Sequence, residues 1–257
     1  MQGLAEWLTL GPGVTPWTFA AMCAVAFLGS LSTAALGLGG GVLMLAAMAL
    51  ALPPVVVVPL HGVVQLGSNI GRTLVMLRQV LWPLVPAFGI GAALGAVAGA
   101  NVALALPLWL LQLVLALFLL YAVWAPSFRP GVATRGKFFA VGALSTFVSM
   151  FVGTTGPLTA PFVAAASPER RHVVATQGAL MSLQHGLKIV AFGLAGFAFA
   201  PYAVLLVAML GSGLLGTVVG SRLLLRLPER AFREGFRLVL TLLALRLGWS
   251  GLETLFG

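Results

Sequence analysis

The apolar run from Trp17 to Leu52 is too long for one ordinary spanning helix, and it breaks where Gly37, Gly39, Gly40 and Gly41 crowd together. Glycine inside a helix costs about 1 kcal/mol relative to alanine, so a lipid-facing helix gains nothing from four of them. A broken membrane helix makes sense where the loosened backbone lines a cavity inside the protein. Its free N–H groups then meet a ligand instead of hydrocarbon. The stretch from Gly29 to Gly41, GSLSTAALGLGGG, has an echo from Gly142 to Gly156, GALSTFVSMFVGTTG. The first copy restarts its helix at Gly41–Val42 and directs the positive end of that helix into the break, a place suited to an anion. The second restarts at Gly156–Pro157, with proline in the first turn, where its missing N–H is harmless.

Composition fixes the class. The chain has 257 residues, 60% hydrophobic and 7% charged, with 32 glycines. Apolar segments of spanning length separated by short basic loops specify a polytopic, all-α membrane protein. A net charge of +9 would suggest a nucleic-acid partner in a soluble protein. Here the basic residues lie mostly between spans, where they set topology, so the expected partners are the bilayer and a small anion, not nucleic acid. The one cysteine, Cys23, leaves no intrachain disulfide and no cysteine-based metal site. No metal or cofactor is expected. Glu6, with no Lys or Arg before the first apolar run, argues against the basic start of a cleavable signal peptide.

In order, residues 1–16 form a lead-in, 17–125 a first repeat, 126–137 a basic linker and 138–257 a second repeat. The first repeat reads as broken arms at 17–36 and 41–52, then spans at 55–77, 82–100 and 107–124, with a turn at 101–106. The second reads as arms at 138–152 and 156–166, then spans at 173–193, 202–221 and 236–252. The matches between halves keep their order: Gly29, Ser32 and Thr33 fall opposite Gly142, Ser145 and Thr146, Asn69 and Arg72 opposite His185 and Lys188, and Gly95, Gly99 and Pro107 opposite Gly216, Gly220 and Pro228. Such order favours duplication. The basic loops (125–137, 167–172 and 222–237, with Arg78 closing a fourth) belong in the cytoplasm. The second broken element then enters and leaves on the cytoplasmic side and the first on the outer side. Three crossings per half invert the second half, giving two inverted-topology repeats, eight to ten helical segments, and both termini outside.

His61, Gln65, Asn69 and Arg72 share one face of the helix at 55–77. Gln177, Gln184, His185 and Lys188 follow on the matching helix, with Ser182 nearby. Polar groups facing lipid are costly, so such stripes face the protein interior or water. As substrate-contacting residues this selects Gly39, Gly40, Gly41, Ser32 and Thr33 in the first half, and Gly153, Thr154, Thr155, Gly156, Ser145 and Thr146 in the second. From the stripes it adds His61, Gln65, Asn69, Gln177 and His185, with Arg72 and Lys188 as gating or anion-attracting charges. Bland readings stand beside these: the glycines permit close packing, hydroxyls bond their own carbonyls, and Arg72 and Lys188 snorkel to headgroups.

The chain has no aspartate, and its glutamates (6, 169, 229, 234 and 253) are placed in loops or termini. No buried carboxylate is then available for a cation, and no nucleotide-binding, zinc or nucleophile motif is present. An enzyme is not expected. At this point the chain resembles the sulfite exporter TauE/SafE family of bacterial and archaeal inner-membrane anion transporters. The resemblance covers about 17–252. It rests on the duplicated unit, on GLGGG at 37–41 and GTTGP at 153–157, and on the polar positions of the following helices. Thr154–Thr155 depart from the usual glycine-rich form. The resemblance implies an exporter of sulfite, a sulfonate or a related organosulfur or carboxylate anion in the inner membrane, working as a secondary transporter by alternating access. An anion channel and a non-transporting subunit that binds a partner protein are the alternatives, and a homo-oligomer is compatible with all three.

Overall fold

A computed structural model of the chain describes residues 10–36, 39–125, 130–223 and 229–256. Gly37 of the first break, Glu6 and Trp7 of the lead-in, Arg129 of the linker and residues 224–228 of the basic connection lie outside the described residues. Within them all regular structure is helical. The first half contains α1 (Pro16–Leu36), α2 (Gly40–Ala51), α3 (Pro54–Val75), α4 (Val85–Ala105) and α5 (Leu108–Trp124). The second contains α6 (Arg135–Val152), α7 (Gly156–Ala164), α8 (Arg170–Leu194), α9 (Ala203–Leu223) and α10 (Glu229–Phe256).

Local chemistry explains the ends. Thr134 caps α6 by accepting the Lys137 N–H at 3.3 Å. Pro54 opens α3 after the extended Pro53, and Pro107 precedes α5. Both breaks use a left-handed glycine: Gly39 has φ +96° and Gly153 φ +73°, a conformation that side chains resist. Ser32 and Thr33 do not interrupt α1, because both hydroxyls donate to the Gly29 carbonyl at 2.9 Å.

The breaks fall where the sequence puts them, between unequal arms: α1 has 21 residues and α2 has 12, α6 has 18 and α7 has 9. At about 1.5 Å per residue these are roughly 31 against 18 Å and 27 against 14 Å. Other expectations change. Residues 101–105 continue α4 instead of turning, since nothing before Pro107 stops the helix. Three of the glutamates placed in loops or termini lie on α10, near its two ends. Among the described residues, five helices are long and apolar enough to cross a membrane, namely α1, α4, α6, α9 and α10. The two polar-striped helices, α3 with 22 residues and α8 with 25, have sufficient length but are not among them.

Those two helices pack against each other in the middle of the molecule, antiparallel, with Gly62 beside Lys188 and Gly178 beside Asn69 and Thr73. α5 and α10 also pair antiparallel: Gln112 meets Ser250 and Trp124 donates to Thr241. The remaining long pairs cross between halves. α4 runs parallel to α6, where a Cβ on Gly95 would strike the Ala143 carbonyl. In the same way α9 runs parallel to α1, where a Cβ on Gly216 would strike the Phe27 carbonyl. Small residues at these crossings bring backbones together where lipid gives no hydrophobic drive. The main apolar core, around Met44, Leu45, Met48, Leu60 and Leu205, surrounds α2.

Candidate functional site

The two breaks and the two polar helices meet at one cavity of about 1010 Å³. From the first half Thr33, Gly39, Gly41, Gln65, Asn69 and Arg72 line it. From the second come Thr154, Gly156, Gln177 and His185. These ten residues, drawn from 33–72 and 154–185, were all selected from the sequence. Arg170, at the start of α8, lines the cavity together with Arg237 and the linker residues Pro130 and Gly131. Arg170, Arg237 and Gly131 are exposed, so the mouth lies at the end of the molecule that carries the basic loops. His185 lies fifteen residues further along α8, about 22 Å deeper. The uncharged loops gather elsewhere, with Tyr202 donating to the Pro12 carbonyl at 3.4 Å and Gly13 facing Pro53.

Each polar helix holds the start of a short arm. His61 Nε2 donates to the Gly41 carbonyl at 2.9 Å, which assigns its proton to Nε2. Gln177 Nε2 donates to the Gly156 carbonyl at 3.3 Å and to Thr159 Oγ1 at 2.7 Å. One such contact lies in each half. Gln184 Nε2 donates to Thr155 Oγ1 at 2.8 Å, and Ser145 donates to Gln184 Oε1 at 3.3 Å. Asn69 Nδ2 bonds the Gln65 carbonyl at 2.8 Å, one turn back on its own helix. The His61 and His185 rings meet edge-on, 5.9 Å between centroids.

The remaining selected residues lie behind the wall. Ser32 is buried and bonded to Gly29. Gly40 packs where a Cβ would run into the Gly29 carbonyl and Thr33 Oγ1, so its missing side chain serves the α1–α2 contact. Ser145, Thr146, Gly153, Thr155, His61 and Lys188 are buried and do not line the cavity. Lys188 does not snorkel: it is 0% exposed, and its ammonium donates to the Gly153 carbonyl. Sequence reasoning missed Ser68, Met181, Arg170 and Arg237 as lining residues. Ser68 was within reach, since it stands three residues from Gln65 on the same stripe. Arg237 had no signal beyond loop charge.

The arrangement can hold an anion. Arg72 is partly buried in the wall, and the first N–H groups of α2 and α7 lack intrahelical acceptors by helix geometry. Among the described residues no glutamate lines the cavity, and the sequence contains no aspartate. Buried polar side-chain atoms without a partner, among the described residues, are His61 Nδ1, His185 Nδ1, Gln177 Oε1, Thr146 Oγ1 and Ser149 Oγ. Among the described residues no group of histidine, cysteine and carboxylate side chains could hold a metal ion.

The family model described as sulfite exporter TauE/SafE matches residues 22–247. Comparison with curated proteins and with solved structures returned no match. The family match takes in both breaks, both polar helices and the whole cavity wall: the chain belongs to the sulfite exporter TauE/SafE family, multi-pass membrane transporters of sulfur-containing anions.

Proposed function

We propose that this chain is a secondary transporter that exports a small sulfur-containing oxyanion across the inner membrane by alternating access. The observation that carries the reading is the joint wall of the cavity: both breaks, both polar helices, one partly buried guanidinium and, among the described residues, no carboxylate. The anion sits where Gln65 and Arg72 of α3 face Gln177 and His185 of α8, with the positive ends of α2 and α7 beside it. The mouth at the basic end faces the cytoplasm, and both termini lie outside.

The two halves are inverted repeats about an axis in the membrane plane. Two features support this. The equivalent helices α3 and α8, and likewise α5 and α10, run antiparallel. The cross-half pairs α4 with α6 and α9 with α1 repeat one packing relation. Inverted halves of this kind let one arrangement serve each side of the membrane in turn.

The test is flux of labelled sulfite into liposomes containing the purified chain. A rate that saturates with sulfite concentration supports the transporter. A rate that rises linearly to the highest concentration supports a channel. No movement of sulfite, sulfonates or small carboxylates, with a partner protein retained through purification, supports the non-transporting subunit.

A further inference from the structure

The cavity is much larger than a compact oxyanion. Liquid water takes about 30 Å³ per molecule, so about 1010 Å³ admits many waters around an anion of a few heavy atoms. Such a space does not discriminate by size. Its deep end does. Three residues beyond His185 on α8 stands Lys188, fully buried against Gly62 of α3. Of its three donors, one is placed on the Gly153 carbonyl, the left-handed end of α6 at the second break. The His185 ring stands next to it with a buried Nδ1 that has no partner, while His61, whose proton sits on Nε2, presents its Nδ1 as an acceptor. Further along, Phe192 packs with Val58 and Met150 and closes the way with apolar side chains.

An ammonium in a protein interior calls for a negative partner, and the helices packed on α8, namely α3, α4, α6 and α7, carry no carboxylate. A neutral carbonyl oxygen occupies the place an anionic oxygen would fill. We propose that Lys188 and His185 form a second, deep anion position, a transit site for compact oxyanions, with the Gly153 carbonyl as its plug in this state. An anion entering from the cavity displaces that carbonyl from Lys188. The displacement frees the second break to move, which couples occupancy of the deep site to the change of access. Anions too bulky to replace one carbonyl bind in the cavity and stop there. This inference rests on the transport reading above.

The experiment separates binding from turnover. In proteoliposomes, Lys188→Met is expected to lower the maximal sulfite rate by about ten- to a hundredfold, the size of one lost hydrogen bond to a charged group. Sulfite binding to the purified variant is expected to stay within about threefold, because Arg72 and the cavity wall remain. Should the variant fail to reach the membrane, the wild-type chain decides through 2-naphthalenesulfonate, which is expected to compete with sulfite for binding and not to cross. An unchanged sulfite rate in Lys188→Met, or 2-naphthalenesulfonate crossing as fast as sulfite, overturns the deep site and leaves the transporter standing. A wild-type chain that moves no sulfite at all overturns the transport reading, and the deep site with it.

Discussion

Arg72 and Lys188 occupy equivalent places in the two halves of the sequence, yet the structure treats them differently. Arg72 stands in the cavity wall, while Lys188 is sealed behind it on the Gly153 carbonyl. The sequence offered both as charges near helix ends, and either could have snorkelled. Their difference was not legible because it depends on which break each side chain can reach, a tertiary matter. The spacing of the α3 stripe was legible, since one helical face must point one way, and Gln65, Asn69 and Arg72 share the cavity. For the hydroxyls the local reading was the right one at Ser32, which bonds its own helix, whereas Thr154 lines the cavity. Replacing Arg72 by Gln is expected to raise the sulfite concentration for half-maximal transport from the basic-loop side by roughly five- to a hundredfold, as one charged contact is lost. Concentration dependence in oriented proteoliposomes measures this. An unchanged value would make Arg72 a helix anchor.

At the scale of elements, the two breaks were readable because four clustered glycines and a Gly-Pro restart have no use in a lipid-facing helix. Their position was legible too, since the arms read as 17–36 and 41–52, and as 138–152 and 156–166, meet the breaks within a residue of the observed helices. The long first arms arise because the polar residues of α1 satisfy themselves on the helix backbone and let it run on to Leu36. Glycines of one break also divide by role, which sequence alone does not reveal. Gly40 leaves no room for a methyl group, whereas a Cβ at Gly156 meets only Gln177 Nε2, at 3.9 Å. Gly40→Ala is therefore expected to lower the thermal midpoint, as overpacking costs about 1–3 kcal/mol. Gly156→Val is expected to give near-normal amounts of folded protein with sulfite transport reduced at least about tenfold, since its side chain enters the space beside the α7 N–H groups. Thermal unfolding and flux measured on both variants check the division. A stable Gly40→Ala together with an active Gly156→Val would remove it.

On the whole-molecule scale, the helical membrane class followed from composition. The pairing of α4 with α6 and of α9 with α1 did not, because cross-half contacts between small residues leave no one-dimensional trace beyond the glycine spacing. The inverted plan proposed above puts Val132 inside and Phe256 outside. Single cysteines at these two exposed positions, in a Cys23→Ser background, test it: an impermeant maleimide added to intact cells should label position 256 and spare 132. The reverse pattern would contradict the topology. Alternating access requires a binding site exposed to one side at a time, and counterflow tests for it. Proteoliposomes loaded with unlabelled sulfite and diluted into a trace of labelled sulfite should accumulate label transiently above its outside concentration, because each outward trip returns the site to load labelled anion. Label that rises only to equilibrium, with no overshoot, would contradict alternating access.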